Sequence, residues 1–340
     1  MADVFLGGLA CVYVITSQLF LRRPDFHLIN ICVAFGAGAA LFTTSLLSFT
    51  WAKDVNSSVA GINELITLER QLVKKYGFRL SPSLNNHQKR VGIFMHFIVS
   101  GAAVLPVGII VANLYEDLDS FYFIFEDILS PYPKYYRETS TMFGLILIRL
   151  VLVGPSIFEA CRTLTLLGMA CMGSIESFKV CLRILTHNIH HFQQFRFYNS
   201  QLLIIFKGVQ KPTQDSLLIG VSVIFLLTIE MLWVCMKGYS KVQLLLYSTF
   251  LFVLLLLLGC IFLFLPEVTG LEEACINLVK KHIHRVRMRK SSLIECKQAN
   301  ALVPIKLKVG NFQVVTKSLK VGYLATLVEQ FFTAILLIDF

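Results

Sequence analysis

Seven apolar stretches divide this chain, and a bilayer is the only solvent in which so much apolar length can be left on helix surfaces. They run from Val4 to Phe20, Phe26 to Ala52, Val91 to Tyr115, Thr141 to Gly173, Ser216 to Met236, Val242 to Leu265 and Lys320 to Phe340. Crossing about 30 Å of hydrocarbon at about 1.5 Å per residue takes roughly 20 residues of helix. The first stretch is the shortest at 17 residues. No basic segment precedes Val4 and no clear small-residue cleavage site precedes Arg22 and Arg23, so it reads as a span rather than a cleaved signal peptide. A hydrophobic share of 56%, a mean hydropathy of +0.69 and 28 Phe agree. The sequence predicts an all-α integral membrane protein with seven transmembrane helices.

The basic residues orient it. Segments 53–90, 174–215 and 266–319 hold 7, 5 and 10 Lys/Arg, whereas 21–25, 116–140 and 237–241 hold 2 each. Basic loops stay on the cytoplasmic side, so the amino terminus is expected inside and the carboxyl terminus outside, the inverse of a G-protein-coupled receptor. The net charge of +10 then serves topology rather than nucleic acid, which is not expected as a partner. His284, Arg285, Arg287, Arg289 and Lys290 are placed to meet anionic lipid of the inner leaflet. Nine Cys occur without a C-x-x-C and none in an outer loop, so no disulfide framework is expected.

The cytoplasmic segments have helical patterns of their own. Ile62, Leu65, Ile66, Leu68, Leu72 and Val73 recur at helical spacing, which extends the second helix inward. The fourth stretch is apolar for 33 residues, about 50 Å of helix, and also protrudes. The segment 271–299 looks helical, and a β-like segment at 304–312 bends at Gly310 and Asn311. Three parts follow: a six-helix bundle over 1–265 with cytoplasmic extensions, an anchor segment over 266–319, and a last helix over 320–340.

Polar residues within the spans are the functional candidates, because lipid penalises them unless they face protein or water. In the last stretch Thr326, Gln330 and Thr333 share one helical face beside Glu329. That stripe fits a water-lined pathway or hydrogen bonding to neighbouring helices. Arg149 has no charged partner at i±3 or i±4 and is the candidate polar anchor of a binding pocket, whereas Glu159 and Arg162 are spaced to pair. The outer segment 116–140 carries six acids against Lys134 and Arg137, together with Phe121, Tyr122, Phe123 and Phe125. It reads as a negative field and a ligand cover, or as an interfacial aromatic belt. His187, His190, His191, His282 and His284 lack the Cys or carboxylates that would complete a metal site. No hydrolase, zinc-protease or phosphate-loop motif occurs, so neither an enzyme nor a cofactor is expected.

The inverted seven-helix pattern and the carboxyl-terminal fifth resemble the arthropod gustatory and odorant receptor superfamily, and more closely its divergent gustatory branch. Gly310-Asn311-Phe312 stands where that family has Gly-x-Phe before its last helix. Two departures follow: Gly322-Tyr323 replaces Thr-Tyr, and Gln330-Phe331 comes one residue late, so the family's gate residue is not carried over. The resemblance implies a plasma-membrane, ligand-gated, non-selective cation channel for Na+ and K+, with Ca2+ a further candidate. It would be a homo- or heterotetramer of related subunits, responding to a tastant or odorant bound among the outer halves of the earlier helices. Thr326, Glu329, Gln330, Thr333 and Asp339 would line its pore, Leu327 or Leu337 would form the hydrophobic gate, and Arg149, Phe121, Tyr122 and Phe123 would contact ligand. The alternatives are a G-protein-coupled receptor, whose D-R-Y and N-P-x-x-Y patterns are missing, and a small-solute transporter, whose paired broken helices are missing.

Overall fold

Long apolar runs become long helices wherever Pro and Gly fail to interrupt them. The computed structural model describes residues 2–21, 28–76, 82–129, 139–189, 191–237, 244–288, 293–302, 304–305, 308–309, 313–314 and 317–337. In chain order the helices are α1 (Ala2–Leu21), α2 (Leu28–Lys53), α3 (Val55–Tyr76), α4 (Pro82–Tyr115), α5 (Ser120–Leu129), α6 (Thr139–His187), α7 (Phe192–Lys237), α8 (Leu244–Gly259), α9 (Leu265–Met288), α10 (Leu293–Asn300) and α11 (Lys317–Leu337). Among the described residues, five helical stretches are long and apolar enough to cross a membrane: Asn30–Lys53, Met95–Leu129, Thr141–His187, Phe192–Lys237 and Leu246–Met288. They fall on the second to sixth expected spans. The first expected span is a shorter apolar helix, Ala2–Gln18, and α11 is not among the five.

Two helices set the length of the molecule. At 49 and 46 residues, α6 and α7 are each about 70 Å long and run well past any bilayer. Their extensions, with α3 and α9, enclose the largest core, in which Phe195, Leu72, Leu182, Leu185 and Leu278 are almost fully buried. The apolar spacing of α3 accounts for its part, since Leu65, Leu68 and Leu72 lie on its buried face. Arg70, Lys74, Arg183, Arg196, Lys280 and Arg285 are among the basic residues of this layer, which is called the basic end below. The acids of 116–129 lie at the opposite, acidic end.

Three departures from the sequence reading have local causes. The expected continuous second helix is interrupted at Asp54, where Ser57 Oγ donates to the Asp54 carbonyl (3.0 Å) and the Ser58 amide restarts the ladder from it (2.9 Å). The sixth span does not stop at Leu265. A single π-turn, Cys260–Phe264, joins α8 to α9, and Pro266, lacking an N–H and crowding the carbonyl four residues back, explains the extra residue. The segment after α4, expected to be a loop, contains a helix, α5, whose Phe123 packs with Val14 and Ala34. At the other extreme of the chain Lys308–Val309 pairs antiparallel with Gln313–Val314, just beyond the β-like segment expected over 304–312, and the bend expected at Gly310 and Asn311 lies outside the described residues.

Candidate functional site

The bundle is hollow at its acidic end because small residues face one another there. Ala34, Ala37 and Ala40 of α2 and Ala102 of α4 border a cavity of about 360 Å³, completed by α1, α6, α7 and α8. Ile109, Val153, Ile157 and Leu257 give it an apolar lining. Asn113, Asp119 and Ser120 gather at one margin, where α4 ends and the chain turns into α5, whereas the hydroxyls of Ser156 and Thr165 on the α6 wall donate to backbone carbonyls. Asn113 Nδ2 donates to the Ile109 carbonyl at 2.7 Å, and Ser120 Oγ lies 3.2 Å from Cys11 Sγ. Such a chamber takes a mostly apolar molecule with a polar group at one end.

An ion-pair clamp shapes that margin. Arg149 Nε donates to Asp119 Oδ2 at 2.8 Å, its Nη2 reaches the same oxygen, and its Nη1 donates to Asp117 Oδ1 at 2.7 Å. Arg149 and Asp119 are 5% and 3% exposed, whereas Asp117 is 49% exposed, so only the first pair is desolvated. The Tyr122 amide donates to Asp119 Oδ1 at 3.0 Å, and the Tyr122 ring lies 5.0 Å beneath the guanidinium. Asp117 closes the α4 terminus in the left-handed region, at φ 53°, a conformation that Asp tolerates better than most residues. At the foot of α5 the Tyr13 hydroxyl donates to Asp127 at 2.8 Å, tying α1 to the same corner.

The four sequence-derived ligand candidates therefore separate. Phe121 lines the cavity. Arg149 borders it through Asp119, Tyr122 packs on Arg149, and Phe123 is a core residue between α1 and α2. Part of the expected negative field is consumed, since Asp117 and Asp119 are engaged by Arg149. The alanines of α2 were missed. Their only signal is the run Ala34-Phe-Gly-Ala-Gly-Ala-Ala40, which reads equally as close helix packing.

On α11 one face turns inward and another outward. Tyr323 packs edge-on against Phe225 of α7 with ring centroids 5.3 Å apart, and Leu327, one turn on, is 6% exposed. Thr326, Glu329, Gln330 and Thr333 are exposed, and Thr333 Oγ1 donates to the Glu329 carbonyl at 2.9 Å. Asp339 and the side chain of Leu337 lie outside the described residues. The Glu159 and Arg162 pair forms at 3.0 Å. Among the described residues no cluster of His, Cys, Asp or Glu could hold a metal ion.

No family model matches the chain, and no curated protein matches it. Among solved structures it is similar to the insect olfactory receptor OR5 from Machilis hrabei, with a TM-score of 0.58 and 12% identity over 98% of this chain and 87% of that one. The same receptor in complex with eugenol gives a TM-score of 0.54 and 12% identity, over 99% of this chain and 88% of that one. At such low identity the likeness is one of fold, and it does not single out the gustatory branch.

Proposed function

We propose that this chain is a chemosensory receptor of the plasma membrane, acting as a ligand-gated, non-selective cation channel. Its ligand is a small tastant or odorant. The observation that carries the proposal is the apolar chamber at the acidic end, roofed by a polar margin, in a fold shared with a receptor solved in complex with eugenol. Its volume of about 360 Å³ suits a molecule of that size class.

Four subunits would surround one axis, held by the anchor segment 266–319, with the last helix of each lining the pore. The exposure of Thr326, Glu329, Gln330 and Thr333 supports this, because an exposed polar stripe at membrane depth calls for water or another subunit. Glu329 and Asp339 would concentrate Na+ and K+. With Leu327 turned into its own chain, Leu337 is the retained candidate for a dewetting gate. Leu227 lines the chamber and Phe225, on the same helix, holds Tyr323 of α11. A ligand that presses on Leu227 and binds the open state more tightly would shift the closed and open populations through that contact.

The experiment is whole-cell recording from cells expressing this chain, with G-protein signalling inhibited, against sugars, bitter compounds and volatile odorants including eugenol. Evoked cation current is expected to survive the inhibition. Ala37→Leu, which fills the chamber, is expected to raise the half-maximal concentration at least about tenfold, the scale of one or two misplaced methylenes. A response abolished by the inhibitor would contradict the proposal.

A further inference from the structure

A second cavity, of about 310 Å³, lies on the basic side of the first, between α2, α3, α6, α7 and α9. The two share a wall made by Ala40, Leu164, Leu227 and Leu257. Among the described residues no charged side chain lines it. Three of its four lining hydroxyls, those of Thr43, Ser174 and Thr213, donate to the chain itself, and the fourth, Ser216, accepts from Trp51. Thr43 donates to the Ala39 carbonyl at 2.6 Å, Ser174 to Ala170 at 2.8 Å and Thr213 to Val209 at 2.7 Å. The Trp51 indole N–H donates to Ser216 Oγ at 2.8 Å. A polar ligand would lose its bonds to water and find few replacements, whereas a hydrocarbon would lose nothing.

Glycines show that this space is not a by-product of close helix approach. At Gly168 and Gly220, both on the cavity wall, an added Cβ would meet nothing within 4 Å. At Gly61, on the same wall, it would come within 2.7 Å of Val209 Cγ1. One glycine permits packing and two leave room. Apolar cavities of this kind stay dry and take apolar guests.

We propose that the inner cavity is a second ligand site, specific for a hydrocarbon chain without hydrogen-bonding groups, of roughly ten to twelve carbons at interior packing density. The chain comes from a lipid tail or a free hydrocarbon. Because Leu227 and Ala40 face both cavities, the guest stiffens the wall of the outer chamber and changes the affinity there. Binding stands apart from the channel reading, and only the effect on outer-site affinity rests on it.

The test is photolabelling of the full chain in phospholipid-free detergent with a ten-carbon hydrocarbon bearing a diazirine. Saturable labelling is expected at 168–174 and 216–224, with decane competing at least tenfold better than 1,10-decanediol. Gly168→Leu and Gly220→Leu each fill the cavity from a different helix and are expected to cut that labelling at least tenfold while the protein stays monodisperse. Two variants guard against one misfolding. Displacement by added phosphatidylcholine assigns the site to a lipid tail, and displacement by decane alone assigns it to a free hydrocarbon. Labelling that never saturates, that the diol competes equally, or that neither variant reduces overturns the site.

Discussion

Asp119 and Arg149 form a buried ion pair at the polar margin of the chamber at the acidic end. Both are desolvated, so removing one leaves the other charged and under-paired, a loss of about 3–5 kcal/mol in comparable buried pairs. Asp117 remains as a partially exposed partner for Arg149, which places Asp119→Ala near the lower end of that range. Thermal unfolding in detergent should show this loss, while Asp119→Leu combined with Arg149→Met recovers most of it. A double variant as unstable as the single one would mean that the pair does more than neutralise itself. His282 gives a second residue-scale test. Its ring stacks on Phe195 at 3.6 Å, with Nδ1 3.1 Å from the Leu278 carbonyl oxygen and Nε2 3.3 Å from that of Ile189. Burial, with Arg285 and Lys281 adding repulsion, holds its pKa below the ordinary histidine value despite those two acceptors. The unfolded chain therefore binds this proton more readily than the folded one. The stability contributed by neutral His282 is complete above about pH 6.5 and is lost as pH falls from there through the depressed folded value. Unfolding temperatures should fall between pH 7.5 and 5.5, and His282→Gln should flatten that fall. Neither partnership was legible in the sequence, since Asp119 lies 30 residues from Arg149 and Ile189 lies 93 from His282.

At the scale of elements, helix periodicity told most of the story and helix junctions told the rest. The buried face of α3 and the overlong α6 follow directly from apolar spacing and run length. The break at Asp54 and the π-turn before Pro266 do not, because they depend on local competition for backbone hydrogen bonds. At the α3 and α7 junction Gly61 faces Val209 with no room for a further carbon, which a substitution can probe. Val209 is β-branched and stiff on its helix, so Gly61→Ala, which places a Cβ 2.7 Å from it, should cost about 1–3 kcal/mol. Gly168→Ala, with open space, should cost less than the intrinsic gain in helix propensity of about 1 kcal/mol. Parallel denaturation of the two variants checks the contrast, and equal stabilities would show that α3 yields freely.

The molecule as a whole is a hollow bundle on a basic helical platform, with one helix, α11, turned partly outward. Its all-helical character and the five long apolar helices were legible because lipid imposes coarse rules on length. Its chamber was not, because the alanines that make it look like packing residues until the facing helices are known. On α11 the polar stripe was legible, but which leucine faces inward was not, since that depends on where Tyr323 meets Phe225. In the proposed channel this outward stripe becomes the wall of a cation pore. The most direct measurement is the reversal potential of the ligand-evoked current under asymmetric Na+, K+ and Ca2+, in the wild type, Glu329→Gln and Gln330→Ala at matched surface expression. The wild type is expected to be cation-selective, with permeability ratios shifted in both variants and most strongly for Ca2+ in Glu329→Gln. Unchanged ratios in both variants would contradict the proposed pore wall.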